Sequence, residues 1–385
     1  MSSAERDGAV PTEAPERPDG VTSSQTAAGG RSPGRSRSRR PAARGSVTLS
    51  DVAREAGVSL ATASRAINGS SNRAVGEELR QRVHAAADRL GYSPDANAQA
   101  MARGQTATIG LIVHDIADPY FSAIAAGVTE AAEEAGMVVT LANTNHDAAR
   151  ELDYVRTLQN QRDRAIILIG ARRDDEEANR RLREALDAYR ARGGTVAMVS
   201  QPILGVDTVH VDNTGGAAAL ARALHGLGYR RFAVLAGPLD NLTARERVTG
   251  FVGALAERGA EVPSTAIVPS AFTRDGGHAA MRELLSRDVA TEVVFAVTDV
   301  MALGAMTAAR EVGVDIPGQL GLAGFDDIST LRDVTPPLTT VRIPLRETGR
   351  QVTALALEPP AVGAREITVP GEVVLRASTP GPAPG

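Results

Sequence analysis

Arginine carries all of the strong positive charge in this 385-residue chain: each of its 42 basic residues is Arg, and Lys is absent. Any bond to an anion must therefore come from Arg, from a hydroxyl or from a backbone amide. Two groupings stand out. Arg31, Arg35, Arg37, Arg39, Arg40 and Arg44 follow one another with no acid between them. Further on, Arg65 lies beside Thr62 and Ser64 in a run of helical spacing that starts at Ser59. An Arg fork can bond two acceptors on a guanine edge, whereas Ser and Thr hydroxyls suit phosphates. Both groupings point to nucleic-acid chemistry. Other chemistries lack their residues. Without Cys there is no disulfide, thiolate metal site or cysteine nucleophile, a usage that fits a reducing cytoplasm. The six His (His84, His114, His146, His210, His225, His278) are scattered, with no ligand pair on one helix. No G-x-G-x-x-G follows a strand-like run, the P-loop needs a Lys, and no G-x-S-x-G elbow occurs. No metal or cofactor is expected.

The net charge of −4 averages two unlike parts. Residues 1–105 hold 15 Arg against 11 acids, and the remainder holds 27 against 35. A basic front end is thus joined to an acidic body, an asymmetry that hints at a nucleic-acid module. Residues 1–45 are rich in Pro, Gly, Ser and Ala and have almost no large apolar side chains, so disorder is expected. Their Arg cluster reads either as an arm that touches phosphates or as a solubilising tail or an early start codon. Residues 1–30 are polar and no apolar run approaches the ~20 residues of a membrane span, so neither a secretory signal nor a membrane partner is expected.

Three helical patterns fill residues 46–94. Leu49, Val52, Ala53 and Ala56 form the first stripe, with Thr48 and Asp51 in capping-box register. Gly57 breaks it, and Ser59 is placed to N-cap a second helix with Ala63, Ala66 and Ile67 on its apolar side. That helix exposes Leu60, Ala61, Thr62, Ser64 and Arg65. After a loop from Asn68 to Asn72, a third helix offers Leu79, Val83, Ala86 and Leu90 as its buried stripe. Two helices joined by a short Gly-containing turn fit a helix-turn-helix, whose second helix reads the major groove. Periodicity alone fits a generic three-helix bundle equally well.

Residues 106–380 alternate apolar runs with amphipathic stretches. The runs are Thr108–Val113, Val138–Ala142, Ala165–Ile169, Val196–Val199, Phe232–Ala236, Val293–Val297 and Leu320–Gly324; helical stretches include Ser122–Ala135, Glu151–Gln161, Gly216–Leu227 and Thr243–Arg258. Repeated strand-helix units imply α/β architecture with parallel sheets covered on both faces. Seven or more units suggest two sheets and hence two lobes, with a ligand cleft beyond the strand C-termini. An enzyme could share these sheets, since fold alone does not imply function.

The residues of the small module go further. Thr48-Leu49-Ser50-Asp51-Val52-Ala53-Arg54-Glu55-Ala56-Gly57-Val58-Ser59, then Thr62, Ser64-Arg65, Asn68 and Gly91-Tyr92-Ser93-Pro94, closely resemble the headpiece of the lactose/galactose-repressor family. The resemblance implies that Leu60, Ala61 and Arg65 read bases while Thr48, Ser59, Thr62, Ser64 and Asn68 serve DNA contact around them. Gly76 departs from the family's usual Ser or Thr N-cap. Residues 95–105 resemble the hinge helix, with Ala98 and Met101 at its minor-groove positions; Met101 stands where the family usually has a Leu wedge.

The body resembles the rest of that family, which in turn resembles periplasmic sugar-binding proteins. Its landmarks include Asp115-Ile116 with Pro119-Tyr120-Phe121, Val211-Asp212-Asn213, Ala244-Arg245-Glu246-Arg247, Asp299 with Met301-Ala302-Leu303-Gly304, and Gly324-Phe325-Asp326-Asp327. The resemblance implies a cleft in which Tyr120 and Phe121 face Phe272, and Arg247 and Asp326 grip ligand hydroxyls or a base. Three departures bear on the ligand: His114 for Pro, Ser200-Gln201 for Asp-Arg, and Thr298 for Asn, the last two replacing polar groups that usually hold sugar hydroxyls. A different ligand, a weaker sugar site or a site that has lost its ligand all remain open. The implied function is a cytoplasmic, dimeric transcriptional regulator, read as a repressor. It would bind a near-palindromic double-stranded operator and answer to a small-molecule effector, read as a sugar. The tail after Ser378 has no heptads for a tetramerising bundle. A sugar-transport component would share the body but carry a signal peptide and no headpiece.

Overall fold

The structure, a computed structural model, describes residues 47–68, 75–93, 106–287 and 289–382. It divides into a small helical headpiece and a large body.

In the headpiece, α1 (Leu49–Ala56) opens on a reciprocal capping box: the Thr48 amide donates to Asp51 Oδ2 at 3.0 Å, and the Asp51 amide donates to Thr48 Oγ1 at 3.4 Å. Gly57 closes it at φ +63°, and Arg82 Nη2 donates to the Ala56 carbonyl at 2.7 Å. Ser59 Oγ accepts the Thr62 amide at 3.1 Å at the start of α2 (Leu60–Asn68), which buries Ala63 and Ala66. In α3 (Glu77–Leu90), Val83, Ala86 and Ala87 are buried, and Gly76 supplies no side-chain cap. Leu79, expected in that stripe, sits in the first turn of α3 and is 38% exposed. Because the turn between α1 and α2 needs a left-handed residue, Gly57→Ala should cost about 1 kcal/mol. Faster amide hydrogen exchange confined to α1 and α2 of the full chain is the expected result.

The body has two parallel sheets. The first runs β11-β5-β4-β3-β1-β2, from β1 (Thr108–Val113), β2 (Val138–Asn143), β3 (Ala165–Ile169), β4 (Thr195–Val199), β5 (Asp207–Val211) and β11 (Glu366–Val369). Its helices are α4 (Pro119–Glu134), α5 (Ala148–Gln161), α6 (Glu176–Arg190) and the late α11 (Leu345–Leu357). Every residue of β3 is buried, as a strand covered on both faces requires. The second sheet runs β7-β6-β8-β9, from β6 (Phe232–Ala236), β7 (Ile267–Pro269), β8 (Val293–Ala296) and β9 (Gly321–Ala323). It carries α7 (Asn213–Gly226), α8 (Leu242–Ala256), α9 (Arg274–Ser286) and α10 (Asp299–Glu311). An antiparallel pair, β10 (Thr340–Arg342) with β12 (Glu372–Val374), joins the second lobe.

The chain crosses between lobes three times: from β5 into α7, from β10 into α11, and from β11 into β12. In the first sheet β1 has β2 on one side and β3 on the other, so the direction of winding reverses there. A crevice opens beyond strand C-termini at such a switch point.

Candidate functional site

On α2, the side away from Ala63 and Ala66 presents Ser59, Leu60, Ala61, Thr62 and Arg65. Leu60 is 51% exposed there. Arg65 folds back over its own helix: Nε donates to the Ala61 carbonyl at 3.1 Å and Nη2 to Thr62 Oγ1 at 3.5 Å. Ser59 and Thr62 hydroxyls lie 2.8 Å apart. Thr48 stands one helix away, its hydroxyl donating to Asp51 Oδ2 at 2.7 Å. Ser64 and Asn68 are half-buried on α2. Ala98 and Met101 lie outside the described residues.

In the body, a cleft of about 500 Å³ gathers seven of the eight positions expected to face a ligand: His114, Tyr120, Phe121, Arg247, Phe272, Thr298 and Asp326. Asp118 fixes the start of α4 by accepting the Tyr120 amide at 2.9 Å, and Pro119 follows it at the first helical position. The two rings of that turn meet edge to face, centroids 5.1 Å apart. Phe121 is only 7% exposed, so it serves core and cleft together. Phe272 enters from the other lobe over Gly237, where a Cβ would stand 2.0 Å from the ring. Thr298 caps α10, accepting the Met301 amide at 3.3 Å.

Arg247 is the centre of the second lobe's wall. It is 2% exposed and held at all three nitrogens: Nη2 donates to Asp326 Oδ1 at 2.9 Å, Nη1 to the Val297 carbonyl at 2.7 Å, and Nε to Asn213 Oδ1 at 2.9 Å. Its guanidinium lies 3.8 Å over the Phe325 ring. Asp326 adopts φ +118° and Asp327 φ +55°, two strained residues in succession. Backbone bonds to Val341 and Ile343 hold that geometry. Burial pushes the Asp326 carboxyl up, against the pull of Arg247. Burial, with Asp326 nearby, also raises Asp299, which accepts bonds from Thr340 and the Ile328 amide.

Ser200 is not part of this lining. Its Oγ turns to the Gly170 carbonyl at 2.6 Å, because the adjacent strand offers a buried acceptor nearer than the cleft. Its neighbour Gln201 is the bridging residue. Oε1 accepts the Arg172 amide at 2.9 Å, while Nε2 reaches the other lobe, to Thr243 Oγ1 at 2.9 Å and Glu246 Oε2 at 3.1 Å. At the lips the Leu242 amide donates to the Arg172 carbonyl at 2.9 Å. Arg173 pairs with Asp240 and Arg245 with Asp174, at 2.8 and 2.7 Å. The two lobes are therefore in contact across the mouth.

Several lining residues carried no motif: Asp118, His146, Ala171, Asn241 and Thr243. Their signal is positional, since each lies just after a strand or at a helix start. Burial raises the Asp118 carboxyl to about 6. Burial, then the neighbouring His114, lowers His146. Behind His114 a buried pair, Arg172 to Glu151 at 2.7 and 2.8 Å, completes the first lobe's side. Burial alone would raise Glu151; Arg172 and His114 outweigh it and hold the carboxyl well below its usual range. Among the described residues no group of His, Asp or Glu is arranged to hold a metal ion, and no helix is long and apolar enough to cross a membrane.

Comparison with known proteins adds to this geometry. Residues 48–95 match the family of bacterial regulatory proteins, lacI family, and residues 106–369 match periplasmic binding proteins and sugar binding domain of LacI family. The HTH-type transcriptional regulator GalS of Salmonella typhimurium strain LT2 is 36% identical over 324 residues, 84% of this chain and 92% of that protein. The HTH-type transcriptional repressor CytR of Escherichia coli strain K12 is 32% identical over 335 residues, 86% and 96% of the two chains. Among solved structures, the Lac repressor dimer bound to operator and the anti-inducer ONPF aligns with TM-score 0.74 and 26% identity, covering 87% of this chain and 99% of that one. The CelR–cellobiose complex aligns with TM-score 0.62 and 31% identity, covering 86% and 99%. A capped helix-turn-helix followed by a two-lobed parallel body, matched over both parts, places this chain in the LacI family of bacterial regulatory proteins.

Proposed function

We propose that the chain is a transcriptional repressor that binds a near-palindromic operator as a homodimer and answers to a sugar held in the cleft. In this reading Leu60, Ala61 and Arg65 read base edges, and Thr48, Ser59, Thr62, Ser64 and Asn68 serve the contacts around them. Ala98 and Met101 would act in the minor groove. The observation that carries the effector reading is the pairing of Arg247 with Asp326 in a cleft walled by Tyr120 and Phe121 from one lobe and Phe272 from the other. Flat rings suit the apolar face of a sugar, and a fixed donor-acceptor pair suits its hydroxyls. Relatives bound to operator and to cellobiose support both halves of it. His114 and Thr298 complete the polar lining, whereas Ser200 acts only through Gly170. The effector works through its different affinity for open and closed bodies. Footprinting on the gene's own upstream region, with and without sugars, tests this. A protected near-palindrome whose occupancy changes with one sugar is expected; no protection at any sugar concentration would sink it.

Asp118 adds a pH signature. Below about 6 its carboxyl is protonated and ceases to be an anionic acceptor for ligand hydroxyls. Sugar affinity should therefore fall about tenfold from pH 7 to pH 5. Calorimetry on Asp118→Asn should give a flatter profile, any residual slope belonging to Asp326 and His146. An unchanged slope removes Asp118 from the site.

A further inference from the structure

The cleft does not end at the imidazoles. A second compartment shares His114, His146 and Ala171 with it and extends between the starts of α5 and α6. The two compartments lie on opposite sides of the winding switch between β1 and β3. Tyr120 and Phe121 on α4 mark one side; Ala148 on α5 and Ala178 on α6 mark the other. The His114 and His146 rings, with centroids 5.2 Å apart, stand at the waist.

The chemistry of the second compartment narrows its occupant. It has no Phe or Tyr in its lining, so a flat base or aryl group finds only the two imidazoles to stack on. Arg172 is already paired with Glu151, and Arg173 with Asp240, while Asp147 and Asp175 cap α5 and α6 and Asp147 also lies 3.5 Å from Arg150 Nε. A phosphate or carboxylate would meet like charge. A neutral group with many hydroxyls finds acceptors on those carboxylates and on Asn179, and donors on the imidazoles.

We propose that the effector has two hydroxyl-rich rings, a disaccharide or similar glycoside, one ring between Tyr120, Phe121 and Phe272 and the second beyond His114 and His146. This rests on reading the cleft as a sugar site. The test is calorimetry on the full chain with glucose, cellobiose and maltose, and with galactose, lactose and melibiose. One disaccharide should bind at least about tenfold tighter than its monosaccharide, a difference of about 1.4 kcal/mol. Ala178→Leu, which fills the second compartment, should abolish that advantage and leave monosaccharide binding in place. Ala148→Leu fills it from α5 should the first variant fail to fold, judged by its thermal melt. Monosaccharide binding as tight as that of every disaccharide, or a folded filling variant that keeps the advantage, overturns the two-ring proposal but leaves the sugar reading standing. Binding of no sugar at all overturns both.

Discussion

Arg247→Ala is expected to abolish the response of operator binding to effector and to destabilise the body by about 3–5 kcal/mol. The magnitude follows from what the truncation leaves behind. Asp326 is 3% exposed and would keep a buried carboxyl with no cation, while the Val297 carbonyl and Asn213 Oδ1 would each lose their donor. Arg247→Lys should not restore function. An ammonium cannot span Asp326, Val297 and Asn213 at once, and it loses the planar contact with Phe325. The double variant Arg247→Met with Asp326→Leu separates the two effects. Removing both charges should recover much of the stability in urea titrations without recovering the effector response. Operator binding itself, measured without sugar, should survive in that folded double variant. An Arg247→Ala protein that still responds to effector would remove the residue from the ligand site.

The same cluster shows which parts of the molecule can be read from sequence. Fully apolar runs such as Ala165–Ile169 and Phe232–Ala236 announce buried parallel strands, because a strand covered on both faces needs an apolar side chain at every position. The strand Asp207–Val211 hides because its run is short and mixed, Asp-Thr-Val-His-Val, with only part of it apolar. More instructive is Glu366–Val369, which returns from the far end of the chain to pair with Asp207–Val211 in the first lobe. Nothing local in Glu-Ile-Thr-Val dictates a partner some 160 residues away; the pairing is decided by which sheet edge stays open once the other strands have assembled.

The site divides along similar lines. Tyr120, Phe121, Arg247 and Asp326 are identifiable because their neighbours carry a family pattern. Asp118 and Asn241 look in isolation like ordinary helix caps, and they do cap, accepting the Tyr120 and Ala244 amides. Only the fold reveals that those helix starts also wall the cleft. Gln201 is a third case. The departure from the family's usual Asp-Arg is visible in sequence as a loss of charge, yet its consequence is a neutral bridge from Arg172 to Thr243 and Glu246. A side-chain amide can accept from one lobe and donate to the other, which neither a carboxylate nor a guanidinium can do alone.

Arg65→Ala carries the largest expected effect on DNA. In the unbound headpiece the guanidinium rests on Ala61 O and Thr62 Oγ1, both weak, partly exposed contacts that are released at little cost. A bidentate bond to guanine O6 and N7 in their place discriminates by about 1–3 kcal/mol in each half-site. The loss on truncation should therefore appear at one symmetric pair of operator positions and vanish when that base pair is changed. Arg65→Lys should rescue little, since a single ammonium cannot reproduce the fork. Salt separates this role from a phosphate contact. A phosphate-binding Arg would lower the slope of log affinity against log salt by about 0.9 per contact removed and weaken all sequences alike. Anisotropy titrations on operator variants at several salt concentrations distinguish the two. A uniform loss with a shallower salt slope would move Arg65 from base reading to backbone contact, and base discrimination along α2 would then fall to Leu60 and Ala61, whose apolar side chains suit thymine methyls rather than guanine edges.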